Sequence, residues 1–90
     1  VGGAGILAAA ADMRGLPVRI EPIGKLAETA PLFQTALPVI GDADARYTPG
    51  RPDGPGARLA LASLTEGAAL AVAGEAAGLV TMPIAKAQLA

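Results

Sequence analysis

Few side chains in this sequence could do chemistry, and they fall in two stretches. Thr81 and Lys86 stand in LVTMPIAK, Leu79 to Lys86. Leu79, Val80 and Met82 form a short apolar run with Thr81 inside it, and Pro83 follows at once. Proline suits the first helical position, where a backbone N–H would have no partner anyway. The stretch therefore predicts a buried strand that passes straight into a helix. In open α/β sheets such a corner binds ligands, because free N–H groups and the positive helix end face the crevice. Thr81 and Lys86 are the polar groups nearest it, with Pro83 between them. Arg51, in PGRPDGPG, is the other candidate: its guanidinium can hold a phosphate through charge-assisted hydrogen bonds. The bland readings are a β-branched residue satisfied in a strand and charges solvated on a helix turn and a loop.

The residue inventory excludes a good deal. The 90 residues contain no His and no Cys. That removes the commonest metal ligand and general base, together with disulfides, zinc-thiolate sites and a cysteine nucleophile. Asp42 and Asp44 have calcium-loop spacing, but the closing Glu of an EF-hand is missing, so they read as solvated loop charge with Asp53 and Arg46. The glycines of VGGAG, Val1 to Gly5, do not fit G-x-G-x-x-G, and read as a tight turn before a helix. No base, nucleophile pair or metal cluster can be assembled from this chain.

Seven Lys and Arg against eight Asp and Glu give a formal charge of −1. No basic run or aromatic platform is present to draw nucleic acid or an anionic membrane. The longest uncharged apolar-rich run, Val1 to Ala11, falls short of the ~17–25 residues a membrane span needs. A cytoplasmic protein is expected. Hydrophobic residues make up 52%, carried largely by alanine, with one Phe, one Tyr and no Trp. Alanine favours helix but buries little area, so a thin core is expected.

The elements that must position the candidates follow from periodicity. Val1 to Gly3 read as the end of a strand and its turn. Ile6 to Arg14 read as a helix with an inward stripe of Ile6, Ala9, Ala10 and Met13, closed by Gly15. Pro17 to Ile23 alternate as a half-exposed strand. Ala27 to Thr29 predict one helical turn interrupted by Pro31, with Phe33 and Leu37 docked on the core, then a strand at Pro38 to Ile40. Gly41 to Gly56 form a long surface loop. Ala57 to Ala73 make the longest helix, with Leu61, Leu64, Ala68 and Val72 as its buried stripe and Arg58 and Glu66 outward. Gly67 costs about 1 kcal/mol there relative to Ala, which close packing would explain. Gly74 ends it. The order is α/β with a mostly parallel sheet, beginning inside one βαβ unit and ending inside a helix, as in a piece of a longer chain.

The run YTPGRPDGPGARLALASLTEGAALAVAGEAAGLVTMPIAK resembles the 4-hydroxythreonine-4-phosphate dehydrogenase family. A loop of the form P-G-(K/R)-P/D, here Pro49 to Pro52, leads to G-A at Gly56-Ala57 and a long helix ending at Gly74. The strand L-V-T-x-P-I-x-K follows as Leu79 to Lys86. Upstream, PVRI and ALPVI (Ala36 to Ile40) are similar too. The resemblance implies the N-terminal part of an isocitrate/isopropylmalate-dehydrogenase-like fold and a homodimer. It implies NAD-dependent oxidation and decarboxylation of 4-phosphooxy-L-threonine to 3-amino-2-oxopropyl phosphate, on the route to pyridoxal phosphate. It also implies a divalent metal (Zn, Mg or Co) acting as a Lewis acid. A full member is several times longer. Its G-x-P-A-G-I-G-P-like opening, its His-Thr substrate pair and its metal-binding histidines have no counterpart here. Thr81, Pro83 and Lys86 match the motif that approaches the site; the ligand residues themselves do not carry over. The fragment alone is expected to be inactive.

Two other readings stay open. A paralogue would act on 4-phospho-D-threonate, 4-phospho-D-erythronate or a dihydrodiol. A non-catalytic binding or dimerisation module would fold alone, and could hold phosphate at Arg51 and the Pro83 helix start.

Overall fold

The computed structural model describes residues 1–83 and residue 87. The chain forms α1 (Ala4–Met13), β1 (Ile20–Pro22), a 3-10 turn (Leu26–Glu28), α2 (Thr29–Leu32), β2 (Leu37–Val39) and α3 (Gly54–Val72). β1 and β2 pair in parallel, with Ile20 opposite Leu37, Glu21 opposite Pro38 and Pro22 opposite Val39. The α/β expectation holds at this level.

The sheet accommodates a proline inside β2 for a geometric reason. The Leu37 N–H donates to the Arg19 carbonyl, and Ile23 donates to Val39. Alternate residues of a strand present their backbone groups to opposite sides, so Leu37 and Val39 face β1 while Pro38 and Ile40 face away. Pro38 therefore removes no donor from the β1–β2 ladder. On the far side the Gly2 N–H donates to the Ile40 carbonyl at 3.0 Å, but this single bond builds no ladder, and the strand end expected at Val1–Gly3 is not formed. The strand expected over Pro17–Ile23 contracts to three residues, and Val18 is exposed.

Both long helices stop in the same way. Arg14 caps α1, with Gly15 N–H donating to Asp12 and Leu16 N–H to Ala11; Ala73 caps α3, with Gly74 donating to Ala71 and Glu75 to Leu70. These are Schellman closures, which need a left-handed residue after the cap; φ is +64° at Gly15 and +79° at Gly74.

Several expectations need correction. Pro31 does not interrupt its helical turn, because it lies in the first turn of α2, where the missing N–H has no intrahelical acceptor to lose. Phe33 is 65% exposed and Leu37 is also exposed, so neither docks on the core. In α1, Ala9 and Met13 point outward; Ile6 and Ala10 are half-buried with Ala4 and Ala11. α3 starts at Gly54, because Asp53 caps it and Pro55 occupies its first turn; the loop is thus 41–53. Its inner face carries two small residues and one leucine: Ala57, Leu59 and Gly67 are buried, while Leu61 is half exposed and Val72 almost wholly so. In an Ala-rich helix apolar residues lie nearly all round, and close approach selects the small ones. Gly67 meets that expectation: a Cβ there would come within 2.9 Å of Leu79 Cδ1. Glu66 is half-buried rather than solvent-facing.

The strand expected at Leu79–Met82 is extended chain outside any ladder, with Val80 89% exposed and Met82 78%. The helix expected after Pro83 lies outside the described residues. The core is small: Ala36, Val39, Ala57 and Leu59, with Gly3 and Gly67.

Candidate functional site

The loop ahead of α3 builds one wall of a cleft. Thr48, Pro49, Gly50 and Arg51 form a turn in which the Arg51 N–H donates to the Thr48 carbonyl at 3.2 Å. Proline second and a glycine with φ +75° third are what a type II turn requires. The Thr48 hydroxyl donates back to the Arg51 carbonyl at 3.4 Å, closing the turn from both sides. Asp53 then caps α3, its Oδ1 accepting from the Gly56 N–H at 2.8 Å. Arg46, Tyr47, Thr48, Arg51 and Asp53 line the cleft with Ile6 from α1, Ala57 and Ala60 from α3, and Pro83. Arg58 adds a third cation nearby, its guanidinium lying over Gly54.

A second cleft adjoins the first through Ala60 and Pro83, which line both. Thr81 lines this one, with Val1, Ser63 and Leu64. The structure thus brings Arg51 and Pro83 to one cleft and sets Thr81 in its neighbour. Thr81 and Pro83 are both exposed. Lys86 lies outside the described residues. The arrangement offers guanidinium groups to an anion, while the N-terminus of α3 beside them is already held by Asp53. Among the described residues no group of three His, Cys, Asp or Glu could hold a metal ion.

The loop is fixed to α1 by two contacts that sequence reasoning missed. Gly3, at the N-cap of α1, provides no side-chain cap. Asp44 supplies one from 38 residues away: Oδ2 accepts from the Gly5 N–H at 2.8 Å and Oδ1 from the Ile6 N–H at 3.0 Å. Oδ1 also accepts from the Ala45 N–H at 2.9 Å. These backbone donors, that of Ala45 foremost and then those of Ile6 and Gly5, hold the Asp44 carboxyl below its ordinary value. A Cβ at Gly3 or Gly5 would collide with this carboxylate, which explains the glycines of VGGAG. The α1 N-terminus is thereby occupied, and a dinucleotide phosphate would meet a carboxylate there. At the other end of α1 the Arg14 guanidinium hydrogen-bonds the Tyr47 hydroxyl and lies 5.9 Å from its ring centroid.

Comparison with known proteins places this loop–helix unit. A 4-hydroxythreonine-4-phosphate dehydrogenase of Erythrobacter litoralis is 49% identical over 85 residues, 94% of this chain and 25% of the relative. Those of Zymomonas mobilis and Bradyrhizobium diazoefficiens are 43% identical over 63 residues and 41% over 76, covering 69% and 83% of this chain. The chain belongs to the 4-hydroxythreonine-4-phosphate dehydrogenase family. It spans about a quarter of the length of the curated relatives it matches, between 19% and 25%. No family model and no solved structure matches it. The P-G-R-P element of the resemblance is now a turn with a shape, and it opens the cleft to which Pro83 returns. Asp53, read as loop charge, was also missed as a cap, although Asp-Gly-Pro before an apolar helix is a start signal that could have found it. Asp44 carried no such signal, because its partners are remote in sequence.

Proposed function

We propose that this chain is part of an enzyme that oxidises 4-phosphooxy-L-threonine at its secondary alcohol, with NAD as hydride acceptor. The 3-oxo acid formed loses carbon dioxide and leaves 3-amino-2-oxopropyl phosphate, a precursor on the route to pyridoxal phosphate. The observation that carries the reading is the 41–49% identity with several dehydrogenases named for that phosphorylated hydroxy amino acid. The cleft chemistry supports it: Arg46 and Arg51 line one cleft and suit a phosphate ester better than a neutral substrate. In this reading Arg51, Thr81, Pro83 and Lys86 lie near substrate, and the enzyme works as a cytoplasmic homodimer within an isocitrate-dehydrogenase-like fold.

The described residues do not fit the two cofactors. They offer no metal-ligand cluster, and of the two Gly-rich helix starts that of α1 is filled by Asp44 and that of α3 is capped by Asp53. What these residues contribute is binding and positioning.

The test is to express the protein from its native reading frame and follow NADH with a divalent metal present. NADH is expected with 4-phosphooxy-L-threonine and not with unphosphorylated threonine. Turnover of 4-phospho-D-threonate or -erythronate in its place would assign a paralogous activity. No NADH with any of them would overturn the reading.

A further inference from the structure

Asp44 makes more of its position than a helix cap requires. A cap could be supplied by an Asp at position 3 itself; here the N-cap is glycine and the carboxylate arrives from the loop. Three consequences meet at that point. The first turn of α1 gains acceptors for two N–H groups that otherwise have none. The loop is fastened to α1 only seven residues before Arg51. Ile6, whose N–H Asp44 holds, lines the same cleft as Arg51. Tyr47, midway between them, is held by Arg14 at the far end of α1. The loop is thus fastened at Asp44 and Tyr47 before it enters the type II turn.

We propose that Asp44 is a positioning residue, which holds the 41–53 loop on the first turn of α1 and so sets Arg51 against the Ile6 wall of the cleft. This rests on the reading of that cleft as the substrate-phosphate side of the site. Asp44 touches no substrate in this account and acts through Arg51.

The experiment has two readouts on the protein expressed from its native reading frame. Limited trypsin digestion compares cleavage at Arg46–Tyr47, inside the fastened loop, with cleavage at Lys25–Leu26, outside it. In Asp44→Ala that ratio is expected to rise at least about five-fold, because local opening and not global unfolding controls it. Asp44→Asn keeps one acceptor oxygen and should fall between, which also covers failure of the Ala variant to fold. The second readout is KM for 4-phosphooxy-L-threonine in a double-mutant cycle. Asp44→Ala should raise KM about five-fold alone and less than about two-fold on top of Arg51→Ala. An unchanged cleavage ratio overturns the proposal outright. A raised ratio with unchanged KM, or a KM rise equal in both backgrounds, overturns the action through Arg51. A raised ratio in a protein that makes no NADH overturns the proposed function and supports the tether.

Discussion

Asp44 is read in sequence as a solvated loop charge and acts in the structure as the N-cap of a helix 38 residues away. Its behaviour with pH follows from the sign of its shift. The folded carboxyl lies below its ordinary value, so the stability it contributes is fully present above the unfolded value, about 3.9. That contribution is lost as pH falls through the lower folded value. Melting temperatures of the wild type and Asp44→Asn should therefore differ most above pH ~5 and converge in stronger acid. A gap that widens on acidification would contradict the assignment. Gly5 gives a second check at the same atoms. Gly5→Ala should gain about 1 kcal/mol of helix propensity but displace the Asp44 carboxylate. It is expected to lower the melting temperature in the wild type and to raise it in Asp44→Ala. The same sign in both backgrounds would mean that the glycine is not there for Asp44.

At the scale of elements, what was legible depended on whether the signal was local. Gly15 and Gly74 were read as helix ends, and both carry the left-handed φ of a Schellman closure, since that motif is written within six residues. The strand expected at Pro38–Ile40 is found one residue earlier, at Leu37–Val39, and the close packing at Gly67 was also legible. The inner face of α3 was not. Leu61 and Val72 looked like its stripe by size, but Ala57, Leu59 and Gly67 are the buried residues, and at Gly67 the side chains of Leu79 and Val1 approach closely. The strand at Leu79–Met82 was read from composition, and composition does not say whether a partner strand lies alongside. At the site, Arg51 and Pro83 were singled out and share a cleft, whereas Asp44 and the Arg14–Tyr47 pair depend on contacts more than thirty residues apart. The start of α3 is the sharpest local test. Asp53→Ala should cost about 1 kcal/mol through the lost bond to the Gly56 N–H, read by thermal melting. An unchanged melting temperature would mean that Pro55 alone starts the helix.

The whole molecule is a slab 35 × 33 × 19 Å with too little inside it. Its accessible surface is 6338 Å², against about 4,800 Å² for a compact monomer of 8.8 kDa. The difference is about twice the ~800 Å² that one partner contributes to a standard protein interface. Among the described residues no large side chain is fully buried, and Val72, Val80 and Met82 are largely exposed. The 90 residues expressed alone should therefore unfold without a sharp transition and bind a hydrophobic dye. Cooperative melting above ~45 °C would favour a module that stands by itself. In the enzyme proposed above, the slab would supply one wall of the substrate site. The most direct test of that claim is KM for 4-phosphooxy-L-threonine in Arg51→Ala of the protein expressed from its native reading frame. Loss of a charge-assisted contact to phosphate should raise KM about ten-fold or more with kcat little changed. An unchanged KM would remove Arg51 from the site and contradict the account.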